Sequence, residues 1–193
     1  MRRALLIGIP TLLLVVILVV GLRQAGDEKG DAKTAPTMTK EEVLAPLEGS
    51  PPRLAALHAQ GSQIKPGAEP AFEQHLKALK GFPVVVNLWA SWCGPCRFEL
   101  PFIQQVSSQN GKSVAYLGVN VGDDADSAER TAKEFFMPYP SIEDPQQQIR
   151  SEFGVQGLPA TAFYDRTGKQ TYLHQGAYTS AEKLQADIAK YTS

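Results

Sequence analysis

Hydrophobic residues open the chain as one unbroken run and afterwards recur with helix and strand periods. Residues 4–22 are apolar apart from Thr11 and the small or kinking Gly8, Pro10 and Gly21. At ~1.5 Å per residue such a helix just spans a hydrocarbon core ~30 Å thick. A run hydrophobic on every side has no stripe to turn toward a core, so it predicts a transmembrane segment over residues 1–23 rather than a buried helix. From residue 24 to residue 52 Gly, Asp, Lys, Thr, Pro and Ser dominate, which predicts a flexible linker with a short helix near Thr39–Leu44. The folded domain is expected over residues 53–193.

Within that domain, residues 53–60 read as a helix or, through Leu54, Ala56 and His58, as a period-two strand. Phe72, Leu76 and Leu79 share one face of a helix over residues 71–80 that Gly81 stops. The β-branched run Val84–Trp89 predicts a central strand covered on both faces. Phe98, Phe102, Ile103 and Val106 then recur at helical spacing, with a kink expected at Pro101. A second buried strand is predicted over residues 114–121, a helix over 127–136 capped by Asp126 or Asp124, and a short helix over 146–153. Strands at 161–164 and 170–174, joined by the glycine-bearing turn 165–169, predict a hairpin. Thr179-Ser180-Ala181-Glu182 reads as a capping box opening a last helix. Alternating helices and strands ending in a hairpin and a helix make an α/β sandwich with a mixed central sheet.

Composition and charge add little. The 43% hydrophobic content is that of a globular protein, and a net charge of −1, from 19 basic and 20 acidic residues, gives no reason to expect nucleic acid as a partner. Arg2 and Arg3 precede the first run, as in a signal or anchor sequence. No convincing small-x-small site follows at residues 19–23 and no cysteine follows the run, so an uncleaved signal anchor is favoured over a cleaved signal or a lipoprotein. Arg23, Lys29 and Lys33 blunt the positive-inside bias, so charge counting leaves the orientation open.

The chemistry is concentrated in one place. The chain has 2 cysteines, in the motif Cys93-Gly94-Pro95-Cys96. A cross-link closing so short a loop removes little entropy from the unfolded chain, which favours a reactive over a bracing role. Zinc would need two further ligands, and no second Cys-x-x-Cys or paired-histidine motif exists; covalent haem would need histidine where Arg97 stands. His58, His75 and His174 are scattered and read as surface or edge residues.

The segment Val86-Asn87-Leu88-Trp89-Ala90-Ser91-Trp92-Cys93-Gly94-Pro95-Cys96-Arg97 resembles the active-site segment of thioredoxins, and Arg97-Phe98-Glu99-Leu100-Pro101 narrows the resemblance to the TlpA-like branch. Gly157-Leu158-Pro159-Ala160-Thr161 resembles the cis-proline loop of that family. The resemblance covers about residues 70–193 and implies a thioredoxin fold with a strand-helix insert after Asn120. It also implies tethering to the outer face of a bacterial membrane. A peroxidase of the superfamily would carry threonine where Ala90 stands.

At a strand-to-helix junction Cys93 is the expected nucleophile, because a helix N-terminus favours the thiolate, and Cys96 the resolving thiol. Pro95 suits the first turn. Thioredoxins carry a buried aspartate where this chain has Asn87, and an amide cannot take up a proton. Glu99 matches the acidic residue of the TlpA-like branch and is the expected proton acceptor; otherwise it is an ordinary first-turn glutamate. The resemblance further implies that Trp92, Gly94, Pro95, Leu158 and Pro159 line the substrate site, with the backbone of Leu158 pairing with the substrate chain.

The expected activity is extracytoplasmic reduction of disulfides in exported proteins, among which apocytochromes c are candidates, with a membrane thiol donor as reductant. No cofactor or metal is expected, and the chain is expected to be a monomer. Gly94-Pro95 resembles the dipeptide of reducing thioredoxins, but an oxidant or isomerase of the same fold, or a non-catalytic docking module, stays open; the intact cysteine pair favours an enzyme.

Overall fold

The computed structural model describes residues 36–192. The expected anchor at residues 4–22 and the first part of the expected linker lie outside the described residues. Among the described residues no helix is long and apolar enough to cross a membrane.

The elements run α1 (Lys40–Leu44), a 3-10 turn (Ala45–Leu47), α2 (Pro52–His58), β1 (Ile64–Lys65), α3 (Ala68–Ala78), β2 (Val84–Trp89), α4 (Gly94–Asn110), β3 (Ala115–Val121), α5 (Ala125–Glu134), β4 (Ser141–Asp144), α6 (Gln148–Glu152), β5 (Ala160–Tyr164), β6 (Gln170–Gln175) and α7 (Ala181–Tyr191). They form one six-stranded sheet in the order β1-β4-β3-β2-β5-β6. β2 pairs parallel with β3 and antiparallel with β5, and β5 pairs antiparallel with β6, so the sheet is mixed. This is the thioredoxin fold that the motif implies.

Every residue of β2 and β3 is buried, as their continuous apolar runs require of strands covered on both faces. Successive side chains on β5 divide the layers. Phe163 stacks toward Tyr172 and Tyr191 of α7, while Tyr164 meets Phe153 and, through it, Phe72 of α3. α4 lies on the α7 side, since Glu99 on α4 bonds Asn87 and Asn87 is in register with Thr161, two residues from Phe163. α4 runs through Pro101 without ending there.

Several expectations shift. β1 and β4 carry too few residues for a periodic signal, yet both join the sheet edge, with Ile64 opposite Ser141. The last helix is capped by Ser180, whose side chain accepts from the Lys183 N–H, so the cap stands one residue later than the Thr179–Glu182 box suggested. A capping box does form at Thr39: its hydroxyl accepts from Glu42 N–H (3.2 Å), and the Glu42 carboxylate accepts from Thr39 N–H (2.7 Å).

That box belongs to a segment expected as linker, and residues 38–50 are packed onto the domain. Val43 and Leu47 are buried. Gln104 of α4 holds Met38 by both backbone groups, at 2.7 and 3.1 Å, and Ser108 donates to the Val43 carbonyl at 2.8 Å. Two apolar anchors in a polar stretch give little local signal, and the groups that hold them come from 65 and 66 residues away. His58 is likewise no surface residue: it is buried, with Nδ1 3.0 Å from the Pro138 carbonyl and Nε2 3.1 Å from that of Gly111.

Candidate active site

The site is built where β2 hands over to α4. Cys93 is the N-cap of α4, in extended conformation, with its sulfur accepting from Cys96 N–H at 3.1 Å. A helix N-terminus leaves several N–H groups without intrahelical partners, so this sulfur sits among donors and at the positive end of the helix dipole. Cys93 and Cys96 are joined in a disulfide, their Cα atoms 5.2 Å apart. Cys93 is 4% exposed and Cys96 fully buried. They pack in an apolar cluster with Trp89, Ala90, Ala128 and Ala132, against which Leu158 is laid.

The residues expected to meet substrate surround this disulfide. Gly94 and Pro95 form the exposed first turn of α4, and a side chain at Gly94 would meet open space. Trp92 is 62% exposed, the only large hydrophobic residue so exposed among the described residues. Its ring is not free, because Nε1 donates to the Gly122 carbonyl at 3.1 Å. The Leu158–Pro159 peptide is cis; Leu158 is half-buried and Pro159 buried. Trp89 points inward and donates to Ser141 Oγ at 3.0 Å. Gly118 makes room for that contact, since a Cβ there would meet both Ser141 Oγ and Trp89 Nε1.

Below the disulfide, Glu99 is fully buried. One oxygen accepts from Asn87 Nδ2 (2.8 Å) and the other from Tyr178 N–H (2.9 Å). Burial pushes its carboxyl up to about 8, against which the two hydrogen bonds pull only part of the way back. This is not the environment of an ordinary first-turn glutamate, which would face water.

One residue escaped the sequence reading. Asp123, just after β3, accepts from Ser91 N–H and Ser91 Oγ (both 2.6 Å), from Asn120 Nδ2 (2.8 Å) and from Asp124 N–H (2.9 Å). It ties the loop ahead of Cys93 to the end of β3. In sequence it is one aspartate of an acidic loop, and nothing local separates it from Asp124, which caps α5 through Ser127. Arg97 adds a second tie, its Nη2 donating to both carboxylate oxygens of Glu134 of α5 at 2.8 Å.

Comparisons with known proteins agree with this geometry. A family model described as Redoxin matches residues 60–188. The chain is 32% identical over 111 residues to the thiol-disulfide oxidoreductase ResA of Geobacillus thermodenitrificans, a match covering 57% of this chain and 64% of that one. It is 32% identical over 145 residues to the thiol:disulfide interchange protein CycY of Rhizobium leguminosarum bv. viciae, covering 67% and 76% respectively. Against the thiol:disulfide interchange protein DsbE of Escherichia coli it is 36% identical over 98 residues, covering 50% and 51%. The ResA and DsbE matches thus span about half to two thirds of those relatives (64% and 51%). Among solved structures, a thiol:disulfide interchange protein DsbE from Chlorobium tepidum aligns with a TM-score of 0.55 at 28% identity, over 60% of this chain and 84% of that one.

Proposed function

The chain belongs to the Redoxin family, among its TlpA-like thiol-disulfide oxidoreductases, and from that premise we propose that it reduces disulfides in exported proteins outside the cytoplasm. Cys93 is the nucleophile and Cys96 the resolving thiol. In the reduced enzyme the Cys93 thiolate attacks a substrate disulfide, forming a mixed disulfide and releasing one substrate thiolate. Cys96 then gives its proton to the Glu99 carboxylate and attacks the Cys93 sulfur. That step closes the Cys93–Cys96 disulfide and expels the second substrate thiolate.

The observation that carries this reading is the disulfide itself, placed at the N-terminus of α4 with buried Glu99 one turn below it. A docking module would need neither both sulfurs nor a buried carboxyl held near neutrality. The exposed rim of Trp92, Gly94 and Pro95, with Leu158 and Pro159 opposite, suits an extended polypeptide bound through its backbone. Residues 4–22 serve as the membrane anchor, a membrane thiol donor re-reduces the enzyme, and disulfides of apocytochromes c are the substrates to try first. Gly94-Pro95 favours the reducing direction by its resemblance to reducing thioredoxins. The test is a Cys96→Ser variant offered an oxidised Cys-x-x-Cys-His peptide: a covalent adduct at Cys93 is expected, and its absence contradicts the proposal.

A further inference from the structure

The polar groups around Glu99 do not end at its two donors. Ser141, Gly118, Asn87, Thr161 and His174 stand in one register row across β4, β3, β2, β5 and β6, so the face of the sheet under α4 is polar at this level. In the middle of the row two oxygens, Asn87 Oδ1 and Thr161 Oγ1, are buried with no hydrogen-bond partner among the described residues. Paired positions on adjacent antiparallel strands put their Cβ atoms about 4.5–5.5 Å apart, so the two side chains are neighbours.

Glu99 changes its needs when it titrates. As a carboxylate it only accepts, and Asn87 Nδ2 and Tyr178 N–H serve it. As a carboxylic acid it also carries an O–H, which must find an acceptor in a site without water-facing atoms. Tyr178 N–H cannot accept. Asn87 can, because half a turn of its amide exchanges Nδ2 for Oδ1 in a side chain of unchanged shape.

We propose that Asn87 is a positioning residue that turns its amide with the proton on Glu99, giving Nδ2 to the carboxylate and Oδ1 to the acid, with Thr161 Oγ1 the polar neighbour of the amide group turned away. The inference rests on Glu99 being the proton acceptor of the resolving step. It explains why an amide stands where thioredoxins hold an acid: asparagine solvates both states of the glutamate without competing for the proton. The proton comes from the Cys96 thiol, whose sulfur leaves as the thiolate that attacks Cys93, and it rests on the Glu99 carboxyl. The other titratable groups coupled to Glu99 are Tyr139 and Tyr178, both held as phenols by burial, and Asp187 lies beyond the Tyr178 hydroxyl at 2.7 Å. Among the described residues no cation bonds Glu99, so the amide is the partner free to respond.

The test uses the full chain in its disulfide form. The Asn87 side-chain amide protons are followed by nuclear Overhauser contacts from about pH 6 to about pH 10, two units either side of the value of about 8 for Glu99. The expected result is a swap. Contacts run to Glu99 at high pH and to Thr161 at low pH, with the midpoint at the Glu99 titration, and a Glu99→Gln variant shows no pH dependence. An orientation that stays fixed while Glu99 titrates overturns the proposal. The rate at which Glu99→Gln resolves a mixed disulfide bears on Glu99 itself: a tenfold or greater loss upholds its role as acceptor, and an unchanged rate removes that role whatever Asn87 does.

Discussion

Glu99 Oε2 accepts a hydrogen bond from the backbone N–H of Tyr178 at 2.9 Å, across 79 residues of sequence. That bond ties the helix carrying the redox pair to the approach to α7, and it places the carboxyl where water cannot reach it. Much of the expected behaviour of the protein follows from this one buried acid.

Glu99 makes folding stability depend on pH with a definite sign. Its folded value of about 8 lies above the ordinary 4.5, so between these limits the folded state holds a proton that the unfolded state has lost. The contribution is fully present below about 4.5 and disappears as pH rises to about 8. Denaturant titrations of wild type and Glu99→Gln are expected to diverge across this window. The wild type loses on the order of a few kcal/mol relative to the variant by the upper end.

The same carboxyl must be ionised to take the Cys96 proton. Resolution of a mixed disulfide is therefore expected to accelerate with pH and level off above about 8. Rapid-quench measurements on Glu99→Gln are expected to lose that inflection, while attack by Cys93 is unaffected.

Replacing either sulfur separates the two steps. Cys93→Ser is expected to abolish turnover, whereas Cys96→Ser accumulates a mixed disulfide visible by mass spectrometry. Full turnover in either variant contradicts the assignment of both residues.

Asp123 holds four donors, two of them on Ser91 next to Trp92. Asp123→Ala leaves these donors unserved and is expected to cost about 1–3 kcal/mol in chemical denaturation. The fluorescence of Trp92 should change with it, because the ring is bonded to the neighbouring Gly122.

The segment before α2 is expected to act as part of the domain. A chain starting at residue 53 loses Val43 and Leu47, both buried, each worth about 1.5–3 kcal/mol. It should unfold at clearly lower denaturant than a chain starting at residue 36; equal midpoints would show that the packing contributes nothing.

What was legible in the sequence was what short-range pattern encodes. The all-apolar runs of β2 and β3 announced central strands, and the cysteine spacing with Arg97 to Pro101 announced the site. Two-residue β1 and four-residue β4 carry no period, and become strands only because β3 offers an edge to β4 and β4 offers one to β1. The same limit hid Asp123, whose partners are assembled by the fold, and the docking of Val43 by Ser108. Glu99 was visible as a residue, but its burial against Tyr178 was not, because nothing near position 99 encodes a contact at position 178.

The most direct measurement is the reduction potential of the Cys93–Cys96 pair in the full chain, equilibrated in defined thiol buffers and followed by the fluorescence of Trp89 and Trp92. A reductant of exported disulfides requires a value near thioredoxin's, about −270 mV or lower, and that is the result expected here. A value near about −120 mV would make the protein an oxidant and contradict the account.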